Sequence, residues 1–204
     1  MKRNLKIFLA VVFVVTACFF AANSTVETQA ATRNGWITRG EQTYYYENGR
    51  PHKGWLTLNG RKYFFNTRTG VQVKGWIKNS AGQRRYFSKS TGVMYTGWMT
   101  SSTGQKRYFD RRTGFMLTGL YKLSNNNYRY FNVSTGFMYT GLVKHGRYYY
   151  YFNPRTGYRF QGGMKKIGGR TYYFKSNGRA HTGWLTLKGK KYFFNARGIM
   201  YSNT

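Results

Sequence analysis

The sequence has very few acidic side chains. Its 204 residues include 34 Lys and Arg but only four Asp and Glu, which gives a formal net charge of +30. Glycoside hydrolases normally place two carboxylates around the scissile bond, and no acidic pair stands at a spacing that fits the repeats described below. His52, His145 and His181 lie in separate units without Cys or carboxylate neighbours, which disfavours a metal site or a catalytic triad. We therefore predict that the protein is not an enzyme and expect neither a cofactor nor a metal.

Cysteine is almost absent too, and the single Cys18 lies in an unusual N-terminal segment. Three basic residues among the first six precede an apolar run over 7–22, the pattern of a secretory signal peptide rather than a membrane span. We predict a signal peptide over 1–30, cleaved near Ala30, and a linker over 31–34. Alternatively, residues 15–18 resemble a lipobox with Cys18 lipidated. The apolar run continues beyond Cys18, which favours ordinary cleavage and would leave no cysteine for disulfides.

Leu, Ile and Val are sparse in the repeats, whereas aromatic residues make up 20% of the chain. Tyr and Trp have an apolar ring and a polar tip, so they can cover a half-wet surface. This composition favours a thin, elongated body with aromatic rings between its units. After position 30 only Glu41, Glu47 and Asp110 are acidic, and such an imbalance predicts an anionic partner.

Residues 35–204 consist of about eight similar units of 19–22 residues, the last one cut short. Residues 75–96 read GWIKNSAGQRRYFSKSTGVMYT, and residues 97–118 read GWMTSSTGQKRYFDRRTGFMLT. Each unit opens with a glycine, and a second glycine follows its aromatic cluster. The second glycines recur every 20–22 residues, at Gly49, Gly70, Gly92, Gly114, Gly136, Gly157, Gly178 and Gly198. Self-similarity at a fixed period predicts a repeat architecture.

Each unit has the pattern of a β-hairpin. In the second unit, Asn59 and Gly60 separate two strand-like runs over 55–58 and 61–65. Asn-Gly is typical of a type I′ turn, in which both central residues have positive φ. A lone hairpin is marginal in water, but stacked units can bury their aromatic faces against one another. We therefore predict an all-β fold, a solenoid of stacked β-hairpin repeats over 35–204.

These units resemble the bacterial cell-wall-binding repeats, because they combine Gly-Trp, a short turn, a Tyr/Phe cluster and Thr-Gly-x-Met-x-Thr-Gly. That superfamily includes choline-binding modules, glucan-binding repeats and the short receptor-binding repeats of large clostridial toxins. The resemblance covers residues 35–204. It implies a left-handed superhelix of hairpins with ligands held at the junctions between consecutive units.

The choline-binding branch implies a cage formed by the Trp of Gly-Trp, the aromatic residue that opens the second-strand cluster, and an aromatic residue of the next unit. Ring faces of this kind bind quaternary ammonium groups. The cluster-opening residues are Thr43, Lys62, Arg84, Lys106, Tyr128, Tyr149, Thr171 and Lys191. Only the fifth and sixth units have a ring there, and those units carry Leu120 and Leu142 instead of Trp. Lys or Arg at this place would repel a cation, so a glycan or an anionic wall polymer is favoured over choline.

Two sets of residues are predicted to bind ligand. The aromatic set is Trp36, Trp55, Trp76, Trp98, Trp184, Tyr45, Tyr63, Tyr86, Tyr108, Tyr130, Tyr151, Tyr173 and Tyr192. The polyanion-binding set is Lys62, Arg84, Arg85, Lys106, Arg107, Lys190 and Lys191, because Lys and Arg suit phosphate by charge and geometry. Each Trp is either a sugar-stacking platform or a packing contact between hairpins. The methionines at 94, 116, 138 and 200 share one repeat position and are predicted to fill the core.

The sequence thus predicts a secreted, non-catalytic protein that recognises polysaccharide or teichoic acid through aromatic and basic grooves between repeats. Its expected location is the cell surface or cell wall of a Gram-positive-type bacterium, or the medium. A choline-binding surface protein and an adhesin-like structural spacer are alternatives. A nucleic-acid-binding polycation is a third, since single-strand binders also interleave rings with basic residues. Export argues against it, so we expect no specific nucleic acid partner, and no membrane span after signal cleavage.

Overall fold

The computed structural model describes residues 33–123 and 127–201. Within these ranges the regular secondary structure consists of β-strands, and there is no helix. The strands are β1 (Gly35–Arg39), β2 (Gln42–Glu47), β3 (Arg50–Pro51), β4 (Gly54–Leu58), β5 (Arg61–Phe65), β6 (Gly75–Lys78), β7 (Arg84–Phe87), β8 (Gly97–Thr100), β9 (Lys106–Phe109), β10 (Gly119–Lys122), β11 (Tyr128–Phe131), β12 (Met138–Tyr139), β13 (Gly141–His145), β14 (Tyr148–Phe152), β15 (Gly163–Ile167), β16 (Arg170–Phe174), β17 (Gly183–Leu187) and β18 (Lys190–Phe194). The predicted signal peptide and Cys18 lie outside the described residues. In the part that is described, no helix is long and apolar enough to cross a membrane.

The strands pair in sequence order into eight antiparallel hairpins, two of which gain a short third strand, β3 and β12. The predicted all-β fold of stacked hairpin repeats is confirmed. In each hairpin the opening glycine lies opposite the last ring of the aromatic cluster, as Gly54 does opposite Phe65. Asn59 and Gly60 have φ of 50° and 72°, so both central turn residues are left-handed, as the Asn-Gly signal predicts.

The core is a column of phenylalanine rings, one from each hairpin after the first. These rings are 0–1% exposed and come from Phe65, Phe87, Phe109, Phe131, Phe152, Phe174 and Phe194. Each ends the second strand of its hairpin and bridges to a residue in the linker that follows, as Phe87 does to Met94. The chain therefore has a narrow core along its repeats, which agrees with its low content of aliphatic residues.

Consecutive repeats are joined through these linker residues, which we call the spine positions. They are Gln72, Met94, Met116, Met138, Arg159, Ala180 and Met200. The backbone N–H of Met94 donates to the carbonyl of Lys62 in the preceding repeat at 2.8 Å. In the same way, the backbone N–H of Met116 donates to the carbonyl of Arg84 at 2.8 Å. The cluster-opening residue thus supplies a structural carbonyl as well as a side chain.

The second glycine of each repeat allows this close stacking. Gly114 and Gly136 have φ of 71° and 72°, and a Cβ on either would overlap the sulfur of Met94 or Met116 in the preceding repeat. Met94 and Met116 are buried, so they fill the core as predicted, while Met138 and Met200 are half-buried. The glycine period therefore marks the places where one repeat stacks on the side chain of another.

Candidate ligand-binding grooves

Four of the five tryptophans face solvent and contact the next repeat at the same time. Trp55, Trp76 and Trp98 are 45%, 45% and 39% exposed. Their ring centroids lie 5.7–6.2 Å from the buried phenylalanine of the following hairpin, and Trp36 makes the same contact at 5.9 Å. Each ring is thus a packing contact on one side and an accessible apolar surface on the other.

Three of these tryptophans also contact an arginine of the next repeat. The Cζ atom of Arg85 lies 5.1 Å from the Trp55 ring centroid, and Arg107 and Arg129 lie 5.5 Å and 5.1 Å from the rings of Trp76 and Trp98. A guanidinium over an aromatic face is attracted by the ring quadrupole. These arginines come from one repeat position, the second residue of the cluster.

A third repeat completes each arrangement. The Arg85 guanidinium stacks on Phe115 with its Cζ atom 3.5 Å from the ring centroid, and its Nε donates to the carbonyl of Thr113 at 2.8 Å. Arg107 contacts Phe137 at 3.6 Å and donates to Thr135 at 2.7 Å. Each arginine therefore connects the Trp of the preceding repeat with a ring and a turn of the following one.

Arg129 repeats the arrangement one unit later. Its Cζ atom lies 4.2 Å from the ring centroid of Tyr158, and its Nη2 and Nε face the Thr156 carbonyl at 3.1 Å and 3.4 Å. The same contacts are therefore made three times along the array.

An open groove lies beside each of the three tryptophans. The first groove, of about 320 Å³, is lined by Trp55, Thr57, Lys62, Arg85, Met94, Arg112 and Thr113. The second, of about 360 Å³, is lined by Trp76, Ile77, Lys78, Arg84, Arg107, Ser134 and Thr135. The third, of about 490 Å³, is lined by Trp98, Thr100, Lys106, Arg129, Met138, Arg155, Thr156 and Tyr158. Each groove combines one exposed indole with three basic side chains, and no carboxylate is among these lining residues.

The electrostatics of the grooves follow from this lining. Partial burial lowers the pKa of Arg85 and of Arg107, and the nearby charge of Arg84 lowers the pKa of Arg107 further. Arginine remains protonated in proteins nonetheless. The hydroxyl and backbone N–H of Thr113 donate to Asp110, which lowers the pKa of that carboxyl. The lowered pKa keeps Asp110 ionised, and its charge acts on Arg112, one of the three basic residues of the first groove.

Five of the seven residues predicted to bind polyanions line one or another of the three grooves, namely Lys62, Arg84, Arg85, Lys106 and Arg107. Lys190 and Lys191 lie in the last hairpin and line none of the three grooves. Trp36 and Trp184 line none of them either, and Trp184, 69% exposed, packs on Phe193 of its own hairpin at 5.1 Å.

The predicted tyrosines are less accessible than the tryptophans. Tyr63 and Tyr130 are buried, and the others, Tyr45, Tyr86, Tyr108, Tyr151, Tyr173 and Tyr192, are half-buried. Tyr63 occupies in its repeat the position that Arg85 has in the next, and its ring lies 5.0 Å from Trp36. Four of the tyrosines support tryptophan rings at centroid distances of 5.0–5.2 Å, namely Tyr45, Tyr63, Tyr86 and Tyr108.

The predicted polyanion-binding set omitted four basic residues of the grooves: Lys78, Arg112, Arg129 and Arg155. Arg129 could have been found, because it lies 22 residues after Arg107 and 44 after Arg85. Arg112 and Arg155 lie in turns two repeats beyond the Trp of their groove, and no local pattern connects them to it.

The histidines need one correction. His52 was expected to have no carboxylate neighbour, but its Nδ1 lies 2.9 Å from Glu47 Oε2 and its Nε2 lies 3.0 Å from the Trp55 carbonyl oxygen. Partial burial lowers the pKa of His52, but these hydrogen bonds and the Glu47 charge outweigh it, so the pKa is raised overall. The expectation of no metal site rests on the sequence, and the described residues hold no cluster of three or more His, Cys, Asp or Glu.

Comparison with known proteins gives one family and a group of structures. The family model for the choline-binding repeat matches residues 52–97 and 161–204. No curated protein sequence matches the chain.

Among solved structures, choline-binding protein F of Streptococcus pneumoniae is similar at 30% identity with a TM-score of 0.67. The same protein, solved in the presence of a peptidoglycan analogue, is similar at 29% identity with a TM-score of 0.69, and CbpJ of Streptococcus pneumoniae at 28% identity with a TM-score of 0.67. In each comparison the match covers 83% of this chain and 58% of the other. This chain therefore spans somewhat more than half the length of these relatives.

Proposed function

We propose that this chain, which belongs to the bacterial cell-wall-binding repeat superfamily, is a secreted, non-catalytic protein that binds an anionic polymer of the bacterial cell wall. The polymer class is a teichoic acid or an acidic polysaccharide. Its expected location is the surface or wall of a Gram-positive-type bacterium.

The observation that carries this proposal is the repeated lining of the three grooves. Each holds an exposed indole beside three basic side chains that come from at least two repeats. An indole offers a flat apolar surface for a sugar ring or polyol, and Lys and Arg bind phosphate or carboxylate by charge and fork geometry. A ligand that uses both must combine carbohydrate-like carbon surfaces with negative charge.

The repetition favours a polymer over a small molecule. Equivalent side chains recur in three consecutive repeats, so a ligand with a repeating unit can make the same contacts more than once. Linked contacts raise the effective concentration of each further contact and can increase affinity by 10²- to 10⁴-fold without a new type of interaction.

The experiment is a binding assay on purified Gram-positive walls before and after chemical removal of teichoic acids, at salt concentrations between about 50 and 500 mM. Counterion release makes polyanion binding fall steeply as salt rises, so we expect at least tenfold weaker binding at the highest salt. We also expect most binding to be lost with the teichoic acids. Binding that keeps its strength and salt response on stripped walls would contradict the phosphate-polymer partner.

Choline binding is a second candidate, favoured by the family match and by one arrangement at the N-terminal end. Trp36 is packed edge-on by Tyr45 at 5.2 Å and by Tyr63 at 5.0 Å. No Lys or Arg head group of residues 33–123 and 127–201 lies over the Trp36 ring. If choline at millimolar concentration raises the melting temperature, and Trp36→Ala removes that effect while Trp98→Ala keeps it, choline binds here. We expect no effect of choline on the wild-type protein.

A further inference from the structure

We propose that Arg85, Arg107 and Arg129 are the oxyanion receptors of the three grooves and that they determine the selectivity of these grooves for anions over organic cations. The inference rests on the proposed function, because it names the groups within each groove that recognise the charged part of the polymer.

A guanidinium of the protein lies near the face of each indole. In the second groove the Arg107 guanidinium lies between two rings, 5.5 Å from Trp76 and 3.6 Å from Phe137. Ring faces in such positions attract a cation, and this cation is part of the protein. A quaternary ammonium ligand would have to displace a covalently attached guanidinium, and Lys78 and Arg84 in the same groove would repel it.

The guanidinium is held in one orientation by a ring and a turn of the following repeat. The ring of Phe137 holds the plane of Arg107, and the Nε–H bond to Thr135 at 2.7 Å fixes its rotation. Arg85 is held in the same way by Phe115 and Thr113. In the described part of the chain the terminal nitrogens of Arg85 and Arg107 have no protein acceptor. Arg85 and Arg107 therefore each present a fixed pair of N–H donors, the geometry that binds a phosphate or carboxylate through two parallel hydrogen bonds. In Arg129 the Nη2 atom already donates to Thr156, which leaves Nη1 and the second N–H of Nη2 for an oxyanion.

The tryptophan and the arginine also vary together along the chain. Where a repeat carries Trp55, Trp76 or Trp98, the next repeat carries arginine at the second cluster position. Where a repeat carries Leu120, Leu142 or Met164 instead, the next repeat carries Tyr150, Tyr172 or Tyr192 at that position. Trp36, followed by Tyr63, is the exception and lines none of the three grooves. The indole and the guanidinium therefore change together, as the parts of one site would.

The three receptors define a ligand class. An oxyanion bound by Arg107 would also face Arg84 and Lys78, and a carbohydrate or polyol segment beside it would lie on Trp76. A polymer that carries one phosphodiester or one uronate carboxylate per few backbone units has this alternation. A neutral glucan lacks the anion, and choline carries the opposite charge.

The test compares Arg107→Ala and Arg107→Lys with the wild-type protein. The matched control is Arg179→Ala, because Arg179 also stacks on a ring, with its Cζ atom 4.0 Å from the Tyr148 centroid, but lines none of the three grooves. Affinity is measured by calorimetry for poly(glycerol phosphate), polygalacturonate, neutral dextran and choline chloride. Circular dichroism and thermal melting of each variant verify that the repeats are folded.

We expect the wild-type protein to bind one or both anionic polymers and neither dextran nor choline. Preference for poly(glycerol phosphate) or for polygalacturonate identifies phosphodiester or carboxylate as the anion. Loss of a charge-assisted bidentate contact should weaken binding roughly tenfold in Arg107→Ala and reduce the slope of log affinity against log salt by about one. Arg107→Lys keeps the charge but loses the fork and the stacking, so it should weaken binding nearly as much, and Arg179→Ala should bind almost normally.

The inference is wrong if Arg107→Lys binds like the wild type, since charge alone would then suffice. It is also wrong if Arg107→Ala and Arg179→Ala lose affinity equally, or if dextran or choline binds as tightly as the anionic polymers. In all of these cases the binding of the wild-type protein to walls can still be observed, so failure of the inference is distinguishable from failure of the proposed function.

Discussion

The stacking of a glycine on the methionine of the preceding repeat gives the most direct test of the fold. Gly136 is buried, has φ of 72°, and a Cβ there would overlap the Met116 sulfur. We expect Gly136→Ala to loosen the junction between the fourth and fifth repeats. Gly104 provides the matched control, because its φ is 79° and a Cβ there would meet nothing within 4 Å.

The magnitude follows from two separable costs. Alanine at positive φ costs about 1–2 kcal/mol of unfolding free energy at either position. Forcing an extra carbon into a packed junction costs about 1–3 kcal/mol more, and only Gly136→Ala carries this second cost. We therefore expect Gly104→Ala to destabilise the protein by about 1–2 kcal/mol and Gly136→Ala by about 2–5 kcal/mol.

A double-mutant cycle in chemical denaturation tests the reasoning. Met116→Ala removes the side chain that Gly136→Ala would overlap, so the double variant should lose less stability than the sum of the two single variants, by about 1 kcal/mol or more. Repeat arrays need not unfold in one step, so all variants are compared with the same spectroscopic probe. Equal destabilisation by Gly104→Ala and Gly136→Ala, together with additive single effects, would refute the stacking.

Three further predictions concern the pH response, the grooves and the array. Glu47→Gln should lower the pKa of His52, measured by NMR titration. Because the folded-state pKa of His52 is raised, the stability that Glu47 provides should be present below about pH 6 and be lost as the pH rises through that pKa. A difference in unfolding free energy between the wild type and Glu47→Gln that grows with pH would contradict this. Trp76→Ala should weaken wall binding several-fold and lower the free energy of unfolding by about 1–2 kcal/mol, whereas Trp184→Ala should change wall binding little. Equal loss of binding in both variants would show that the grooves are not the binding site. Deletion of residues 183–204 should lower the denaturation midpoint while the remaining repeats keep their β spectrum, and complete loss of structure would show that the array folds only as a whole.

The repeat itself made most of the fold predictable from the sequence. The Asn-Gly turn and the short strands around it at 55–58 and 61–65 follow from local turn and strand chemistry, and the structure has both. Eight copies of one pattern also required each unit to contact its neighbours, since a single hairpin buries too little. The inter-repeat hydrogen bond from Met94 to the carbonyl of Lys62 was not predictable, because its two ends lie 32 residues apart and a backbone carbonyl leaves no signal in the side-chain pattern.

The candidate site was predictable only in part, for a related reason. The sequence indicated tryptophan platforms and a series of basic residues, but it weighed each Trp as either a platform or a packing contact. Trp76 is both, because its ring packs against Phe109 and the residue as a whole is 45% exposed. Each groove draws on three consecutive repeats, so Arg155 enters the third groove from a turn 57 residues after Trp98. Such distant partners are found only when the stacking of the repeats is known.

If the proposed function is correct, the position of the arginines explains how repeats similar to choline-binding repeats bind an anionic ligand. Rings that would attract an external cation instead hold a guanidinium of the protein, as Trp98 and Tyr158 hold Arg129. The ring contacts thus become part of the fold, and in the proposed function the outward donors of the same side chain reverse the charge preference of the groove. We therefore expect that substitution at this one repeat position changes the ligand class without altering the hairpins, because the Phe column and the glycine–methionine stacking use other residues.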